Sequence, residues 1–251
     1  MVKVLINGAL GKMGKKVFEA CASEDNVVAV CGVDRFCDFS NEKFPVYDSF
    51  ESVKEDVDVV IDFSAPVTLK GLLDFCLNKK VNAVLCTTGY TEEDLSSIKN
   101  ASEKVAIFRS ANMSLGVNVL IDLVKKATVA LAGYDIEIIE KHHNQKVDAP
   151  SGTALMLAQA VKEQDENKTF VFGRNGAVGK RDKNEIGIHA VRGGNIVGDH
   201  DVLFAGTNET VTISHQAFDR SVFAIGAVRA SEYISSKKSG VYNMQNLVNN
   251  D

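Results

Sequence analysis

The start of the chain decides the fold, and residues 2–20 read VKVLINGALGKMGKKVFEA. A short apolar strand is followed by three glycines, spaced G-x-x-G-x-x-G rather than G-x-G-x-x-G, and then by a helical pattern. Glycines at a strand-to-helix turn let a pyrophosphate approach the backbone, and the N–H groups at the helix start can bind it. The stretch therefore predicts a dinucleotide-binding turn. The residues predicted to hold the nucleotide there are Gly8, Gly11, Lys12, Met13 and Gly14.

A second nucleotide contact is predicted where the next apolar strand ends. Asp34 follows Val33 directly and lies about 20 residues beyond Gly14, where an acid hydrogen-bonds the adenosine ribose. Arg35 is next to it and suits a 2′-phosphate or stacking on adenine. Because Asp34 and Arg35 favour different cofactors, both NADH and NADPH remain open.

The first half of the chain alternates continuous apolar strands with amphipathic helices. This order is typical of a doubly wound, Rossmann-type parallel sheet that is covered on both faces. The predicted strands are 2–7, 27–33, 57–63, 82–87 and 105–108, and the predicted helices are 12–23, 67–78 and 92–103.

The second half predicts an α+β domain with a mixed sheet, because its strands alternate in polarity and are separated by glycine-rich segments. The predicted helices are 114–131, 151–163 and 220–236, and the predicted strands are 135–142, 169–172, 185–191, 201–204 and 209–215. We expect residues 1–112 and 220–251 to form the dinucleotide-binding domain. Residues 113–219 would form a domain for substrate binding and oligomerisation.

Two further strand ends carry small polar residues that suit a nicotinamide ribose or amide. The first is Asp62-Phe63-Ser64, and the second is Cys86-Thr87-Thr88-Gly89. Ligands of open α/β sheets bind outside the carboxyl ends of the strands. Cys86 has no basic partner nearby in the sequence, so a buried structural thiol is expected rather than a nucleophile.

Composition narrows the functional classes. The chain has 251 residues, 45% of them hydrophobic, and a net charge of −5. A mildly acidic chain argues against general binding of nucleic acid or anionic lipid. No apolar run reaches the length of a membrane helix, and no targeting segment is evident. The odd number of cysteines, without a C-x-x-C pair, fits a reducing cytoplasm. These are Cys21, Cys31, Cys37, Cys76 and Cys86.

Residues 140–154, EKHHNQKVDAPSGTA, combine titratable and anion-binding residue types. His142 and His143 are consecutive on a strand, so their side chains should point to opposite faces and not share a metal ion. A histidine can deliver a proton at neutral pH, and Lys146 can attract a carboxylate. Ser151 either caps the following helix or binds an anion. We therefore expect an acid–base and anion-binding site without a metal.

The whole chain resembles the 4-hydroxy-tetrahydrodipicolinate reductases of bacterial lysine and diaminopimelate biosynthesis, formerly called dihydrodipicolinate reductases. The signature is Glu140-x-His142-His143-x-x-Lys146-x-Asp148-Ala149-Pro150-Ser151-Gly152-Thr153-Ala154. Supporting segments are the Gly8 turn, Asp62-Phe63-Ser64, Thr87-Thr88-Gly89, Asn112-Met113-Ser114-x-Gly116, Val191-Arg192-x-Gly194 with His200, and Gly226-Ala227-Val228-Arg229.

The resemblance implies that NADH or NADPH reduces a small cyclic dicarboxylate to tetrahydrodipicolinate with loss of water. It implies His142 as proton donor, assisted by Lys146, and a homotetrameric assembly. The implied substrate-binding residues are His143, Lys146, Ser151, Gly152, Thr153 and Arg220. The implied nicotinamide-binding residues are Phe63, Thr87, Thr88, Gly89, Ala111, Asn112 and Met113. The chain departs from many members at Cys86, where they have Gly, and at Ala111, where they have Pro.

Two other functions share the nucleotide turn. One is another Rossmann-type amino-acid or semialdehyde dehydrogenase, and the other is a nucleotide-binding sensor without turnover. The dehydrogenase does not explain why His142, His143 and Lys146 lie next to the Ser-Gly-Thr turn, and the sensor would bind the cofactor tightly without transferring hydride to a cyclic dicarboxylate.

Overall fold

The computed structural model describes residues 1–36 and 44–250, so Cys37 lies outside the described residues. The chain forms two compact units. The first contains Met1–Leu115 and Ser221–Asp251, and the second contains Gly116–Arg220. The second unit is thus one continuous stretch of sequence, inserted between the two parts of the first.

The first unit contains a seven-stranded sheet in which each pair of neighbouring strands is parallel. Its strands are β1 (Val2–Asn7), β2 (Val27–Val33), β3 (Val46–Tyr47), β4 (Val59–Asp62), β5 (Asn82–Leu85), β6 (Ala106–Arg109) and β12 (Gly240–Tyr242). Their order across the sheet is β12-β6-β5-β4-β1-β2-β3. The predicted Rossmann-type fold class is confirmed.

Helices cover both faces of this sheet because its central strands are apolar on both sides. The helices are α1 (Lys12–Cys21), α2 (Leu69–Lys79), α3 (Glu92–Ser102), α6 (Ser221–Ser235) and α7 (Met244–Asn249). Val4 and Ile6 point into the core formed with α1 and α6. Leu5, between them, points into the core formed with α2 and α3. Alternate residues of one strand therefore serve two cores.

The second unit contains a mixed five-stranded sheet, as predicted. Its strands are β7 (Asp135–His142), β8 (Thr169–Phe172), β9 (Glu185–Arg192), β10 (Gly198–Ala205) and β11 (Thr210–Ala217), in the order β11-β10-β7-β9-β8. Its helices are α4 (Leu115–Ala130) and α5 (Gly152–Lys162). Ile136 and Ile138 of β7 pack into the core with both helices, whereas Glu137 and Lys141 point to the opposite face.

The largest error in the predicted strands is at β10. The sequence predicts that this strand begins at Asp201, because the glycine-rich segment before it is typical of a loop. In the structure β10 begins at Gly198, and His200 pairs with Glu140 of β7 across the sheet. The short strands β3 and β12 were also not predicted, because two or three residues show no period.

Of the helices in the described ranges, none is long and apolar enough to cross a membrane.

Candidate active site

The glycine turn after β1 is tightly packed against its own backbone. Gly8 has a φ of +79°, and a Cβ atom there would lie 2.8 Å from the carbonyl oxygen of Phe63. A Cβ atom at Gly14 would lie 2.1 Å from the carbonyl oxygen of Gly8. Gly11 is the N-cap of α1, and as a glycine it supplies no side-chain hydrogen bond to the first N–H groups of that helix, which begins at Lys12 and Met13. Close contacts between backbone segments therefore require glycine at positions 8 and 14 of the turn.

A cavity of about 600 Å³ lies beside this turn, within the first unit. Asp34 lines it, and its carboxylate accepts hydrogen bonds from the N–H groups of Leu10 (3.0 Å) and Phe36 (3.1 Å). The Arg35 guanidinium carbon lies 4.6 Å from the centre of the Phe36 ring. The cavity is lined by the glycine turn, the ends of β2, β3 and β4, and the residues after them: Gly8, Gly11, Asp34, Arg35, Asp48, Glu51, Phe63 and Ser64.

The other predicted cofactor residues follow the carboxyl ends of β5 and β6. Thr87 is buried and accepts a hydrogen bond from the Ser64 N–H (3.1 Å), whereas Thr88 and Gly89 are exposed. After β6, Ala111 is exposed, Asn112 is half-buried and Met113 is buried. The predicted nucleotide residues therefore lie together at the carboxyl ends of the strands, where ligands of open α/β sheets bind.

Asp62, at the carboxyl end of β4, is a buried carboxylate that several neighbouring side chains contact. It accepts hydrogen bonds from the side chains of Asn7 (2.8 Å) and Tyr90 (3.1 Å). Burial, and then the charge of Asp62, raise the pKa of the Tyr90 phenol. Burial, followed by the charge of Asp62, also raises the pKa of the Cys86 thiol well above its ordinary value. Cys86 therefore has the character of a structural thiol.

In the second unit, Glu140 and His142 lie on the helix-covered face of β7. Glu140 is fully buried, and its Oε2 lies 2.6 Å from Nδ1 of His142. Arg192 donates to both carboxylate oxygens, at 2.7 and 2.8 Å, and the Ser151 N–H donates to Oε1 at 3.0 Å. Burial would raise the pKa of Glu140, but these hydrogen bonds, led by those from Arg192, lower it. Glu140 is therefore an ionised carboxylate at neutral pH.

His200, on the neighbouring strand β10, completes a group of side chains that also contains Glu140, His142, Ser151 and Arg192. Its Nε2 lies 3.0 Å from Oγ of Ser151, and its ring packs edge-on against that of His142, with centroids 5.2 Å apart. Burial first, and then the positive charge of His142, lower the pKa of His200 to about 4. His200 is therefore neutral at physiological pH, and its Nδ1 is buried without a hydrogen-bond partner among the described residues.

Ser151 caps α5, since its Oγ accepts a hydrogen bond from the Ala154 N–H (3.2 Å). This is one of the two roles left open by the sequence. The hydroxyl is only 2% exposed and is also close to His200. Binding of substrate by Ser151 stays a prediction.

The remaining predicted substrate residues follow the ends of β7 and β11 or begin α5. Arg220 Nη2 lies 3.5 Å from Nε2 of His143, which is half-buried and follows the end of β7. The Lys146 ammonium lies 2.8 Å from Asp148 Oδ1, so its charge is already paired. Gly152 and Thr153 form the first turn of α5. The structure thus brings His143 and Arg220 together, while Lys146 pairs with an acid that the sequence did not assign to the site.

Three members of the group were not predicted as functional residues: Glu140, Arg192 and His200. The alternation of β7 could have identified Glu140, because residues two apart lie on one face of a strand. Arg192 and His200 stand in segments that support the family resemblance, but no local pattern connects them with Glu140, because only the pairing of β7 with β9 and β10 brings them there. Within residues 1–36 and 44–250 there is no cluster of His, Cys, Asp or Glu side chains that could hold a metal ion.

Two protein-family models together match almost the whole chain. The model for the N-terminus of dihydrodipicolinate reductase matches residues 2–113, and the model for its C-terminus matches residues 116–248. The boundary between the two matches lies next to the change from the first unit to the second.

Individual relatives agree with these models. The chain is 49% identical to the 4-hydroxy-tetrahydrodipicolinate reductase of Clostridium tetani, over 99% of this chain and 98% of that protein. It is 40% identical to the reductase of Exiguobacterium sibiricum, over 98% and 96%. The solved structure of dipicolinate-bound dihydrodipicolinate reductase from Paenisporosarcina sp. TG-14 is similar, with a TM-score of 0.83 and 29% identity over 98% of this chain and 99% of that one. The chain therefore belongs to the dihydrodipicolinate reductase family, as its sequence predicted, and is an oxidoreductase.

Proposed function

We propose that the chain reduces 4-hydroxy-tetrahydrodipicolinate to tetrahydrodipicolinate and water, in diaminopimelate and lysine biosynthesis. The family supports the reaction, and one observation supports the chemistry: the histidine of the signature, His142, is paired through Nδ1 with an ionised carboxylate. An imidazole oriented in this way suits a proton donor.

The nicotinamide cofactor would be bound by the first unit, where the 600 Å³ cavity and the glycine turn fit a dinucleotide. A bound NADH or NADPH supplies the hydride. The N–H groups at the start of α1 suit the pyrophosphate, and Asp34 suits the adenosine ribose.

NADH is the cofactor that we propose is preferred. Among the residues that the structure describes, three carboxylates, those of Asp34, Asp48 and Glu51, line the cavity with one arginine, Arg35. A 2′-phosphate adds about two negative charges, by analogy with phosphorylated side chains, and would be repelled by the carboxylates. Arg35 would offset this repulsion in part, so NADPH should be used less efficiently rather than excluded.

The substrate would be bound by the second unit. His143, Arg220 and Lys146 supply positive charge or hydrogen-bond donors for its two carboxylates, and Gly152 and Thr153 present the start of α5. His142 would donate the proton to the ring nitrogen of the substrate, assisted by Lys146. The homotetramer and the cytoplasmic location also remain predictions, and sedimentation equilibrium would measure the assembly.

Steady-state kinetics would test the function. The substrate is generated enzymatically and offered with either NADH or NADPH, while oxidation of the cofactor is followed by absorbance. We expect turnover with both cofactors and a higher kcat/KM with NADH. A protein that binds NADH yet transfers no hydride to this dicarboxylate would refute the proposed activity. A higher kcat/KM with NADPH would refute only the proposed preference.

A control separates the two sources of cofactor preference. In Arg35→Ala the stacked cation is lost while the carboxylates stay, so use of NADPH should fall further than use of NADH. In Glu51→Gln one carboxylate charge is lost, and the ratio should move toward NADPH. If the ratio of kcat/KM with NADH to kcat/KM with NADPH stayed at the wild-type value in both variants, neither side chain would contribute to discrimination between the cofactors.

A further inference from the structure

The carboxylate of Glu140 connects three parts of the second unit. It contacts the His142 ring at the end of β7, Arg192 at the end of β9, and the N–H of Ser151 at the start of α5. The side chain is fully buried, so water does not compete for these contacts. Its position therefore affects more than the one histidine that it touches.

The contact with His142 decides which ring nitrogen carries the proton in the neutral imidazole. An ionised carboxylate only accepts hydrogen bonds, so Nδ1, which lies 2.6 Å from it, must be the donor. In the neutral ring Nε2 then has the free lone pair, and Nε2 is the nitrogen that gains and releases a proton. The opposite tautomer would place two acceptors against each other.

The space around Nε2 agrees with this assignment. A Cβ atom at Gly198, the first residue of β10, would lie 3.0 Å from Nε2 of His142. That separation is tighter than most contacts of real Cβ atoms, so even alanine would crowd this nitrogen. The absence of a side chain at Gly198 therefore leaves room beside the nitrogen that Glu140 leaves without a proton.

Arg192 extends the effect of Glu140 to the loop that carries Lys146. Its guanidinium donates to both oxygens of Glu140, and its Nη2 also donates to the carbonyl oxygen of Asp148 at 2.7 Å. Asp148 in turn pairs with Lys146 at 2.8 Å. One buried ion pair thus fixes both the imidazole and the segment 143–151.

We propose that Glu140, fixed by Arg192, is a positioning residue that sets the His142 tautomer and keeps Nε2 as the proton-transferring atom. This inference rests on the proposed reductase function. Glu140 itself touches no reacting atom, and it acts through His142 and through the loop.

Three purified proteins test the inference: wild type, Glu140→Gln and Glu140→Asp. The glutamine keeps the size but loses the charge, so kcat should fall about 10²-fold, within the usual contribution of a general acid. Loss of the carboxylate destabilises the imidazolium, so the alkaline limb of the kcat–pH profile should move to lower pH. The aspartate keeps the charge and should leave that limb in place, with a smaller loss of kcat.

Glu137→Gln is the matched control, because Glu137 lies on the same strand, on the opposite face, and also contacts arginine and histidine. Its pH profile should equal that of wild type. An alkaline limb that stays in place in Glu140→Gln, or moves equally in Glu137→Gln, would overturn the inference. Absence of turnover in wild type would instead refute the proposed function.

A measurement on the wild-type protein covers the case in which Glu140→Gln does not fold. Histidine labelled with ¹⁵N reports the tautomer by NMR, and His142→Gln identifies the signal. We expect the neutral His142 ring to carry its proton on Nδ1. A proton on Nε2 would overturn the inference without any change at Glu140.

Discussion

Strand β7 carries two similar groups of charged side chains, one on each face. On the helix-covered face, Glu140 contacts Arg192 and His142. On the opposite face, Glu137 contacts Arg174, Arg181 and His189, at 2.7 to 3.0 Å. In each case a glycine of a neighbouring strand leaves the space. A Cβ atom at Gly187 would lie 1.8 Å from the Glu137 carboxylate.

The two groups differ in burial and in what the glycine accommodates. The Glu140 side chain is 0% exposed and the Glu137 side chain is 16% exposed. Gly187 makes room for a carboxylate, whereas Gly198 makes room for an imidazole nitrogen. Burial would raise the pKa of Glu137, but hydrogen bonds from Arg174, His189 and Arg181 lower it to about 2. Residue types alone therefore do not distinguish the two histidines, whereas His142, unlike His189, is followed directly by the segment 143–151 and the start of α5, where the substrate is proposed to bind.

The largest difference between the two groups should appear when their histidines are removed. His142→Ala should lower kcat by about 10²–10⁴, because the general acid is lost. His189→Ala, the control, should leave kcat within about twofold. Both are measured by NADH oxidation at saturating substrate, with NADH affinity expected to be unchanged because the cofactor is proposed to bind the first unit. Equal activities of the two variants would show that the comparison has no catalytic meaning.

Removing one arginine from each group tests their contributions to stability. Arg192→Met leaves the buried Glu140 carboxylate without its main partner and should lower the free energy of unfolding by about 3–5 kcal/mol. Arg174→Met leaves Glu137 with Arg181 and His189, and a partly exposed ion pair contributes only about 1 kcal/mol or less. Denaturant unfolding followed by circular dichroism would measure both. Similar losses would mean that the difference in burial has no energetic effect.

The pH dependence of stability should also separate the two faces, because only the Glu140 side contains a histidine with a pKa near 4. Folding lowers the pKa of His200, so the neutral form is favoured and stability is fully present above about pH 6.5. As the pH falls toward 4, the unfolded chain binds a proton that the folded chain does not bind. The free energy of unfolding therefore falls by up to about 3 kcal/mol.

Urea unfolding at several pH values would measure this loss. His200→Gln removes the larger contribution and should make the curve less steep between pH 6.5 and 4.5, while burial of His215, which also lowers its pKa, leaves part of the slope. Below about pH 4.5 both proteins should lose further stability, since Glu140 and Glu137 have lowered pKa values and must then be protonated. A wild-type curve that is already flat from pH 6.5 to 4.5 would contradict the prediction.

The smallest expected effect on activity comes from removing a lysine near each of the two groups. Lys146 pairs with Asp148 in the signature loop, and Lys141 pairs with Asp201 on the opposite face at 3.0 Å. Lys146→Ala should lower kcat/KM for the dicarboxylate by about 10- to 100-fold, the effect of one lost hydrogen bond to a charged group. Lys141→Ala should have no effect on kcat/KM. Wild-type kinetics in Lys146→Ala would remove that residue from the site.

Local patterns predicted the fold because they come from short-range geometry. The glycine turn, the alternation in β7 and the apolar strands of the first unit each depend on residues close together in sequence. The bounds of β7 were predicted as residues 135–142 and are observed there. The capping role of Ser151 could be proposed in the same way, from a serine before an apolar helix.

The group around Glu140 could not be predicted in this way. Arg192 lies 52 positions from Glu140 and reaches it because β7 pairs with β9. The sequence predicts His200 outside a strand, because the glycines before it are typical of a loop. Such contacts depend on strand order and register, which a single sequence does not encode locally.

The interrupted first unit has a consequence for synthesis on the ribosome. Helix α6 and strand β12, which complete its core and one edge of its sheet, follow the whole second unit in the chain. After the N-terminal part of the first unit has been made, the roughly one hundred residues of the second unit must therefore be translated, over about 5–20 s, before α6 can cover Val4 and Ile6. We expect the second unit to fold first and the nascent N-terminal segment to expose apolar surface that chaperones bind. Stalled nascent chains ending before and after α6 would show a decrease in chaperone crosslinking when α6 emerges, and equal crosslinking would contradict this order.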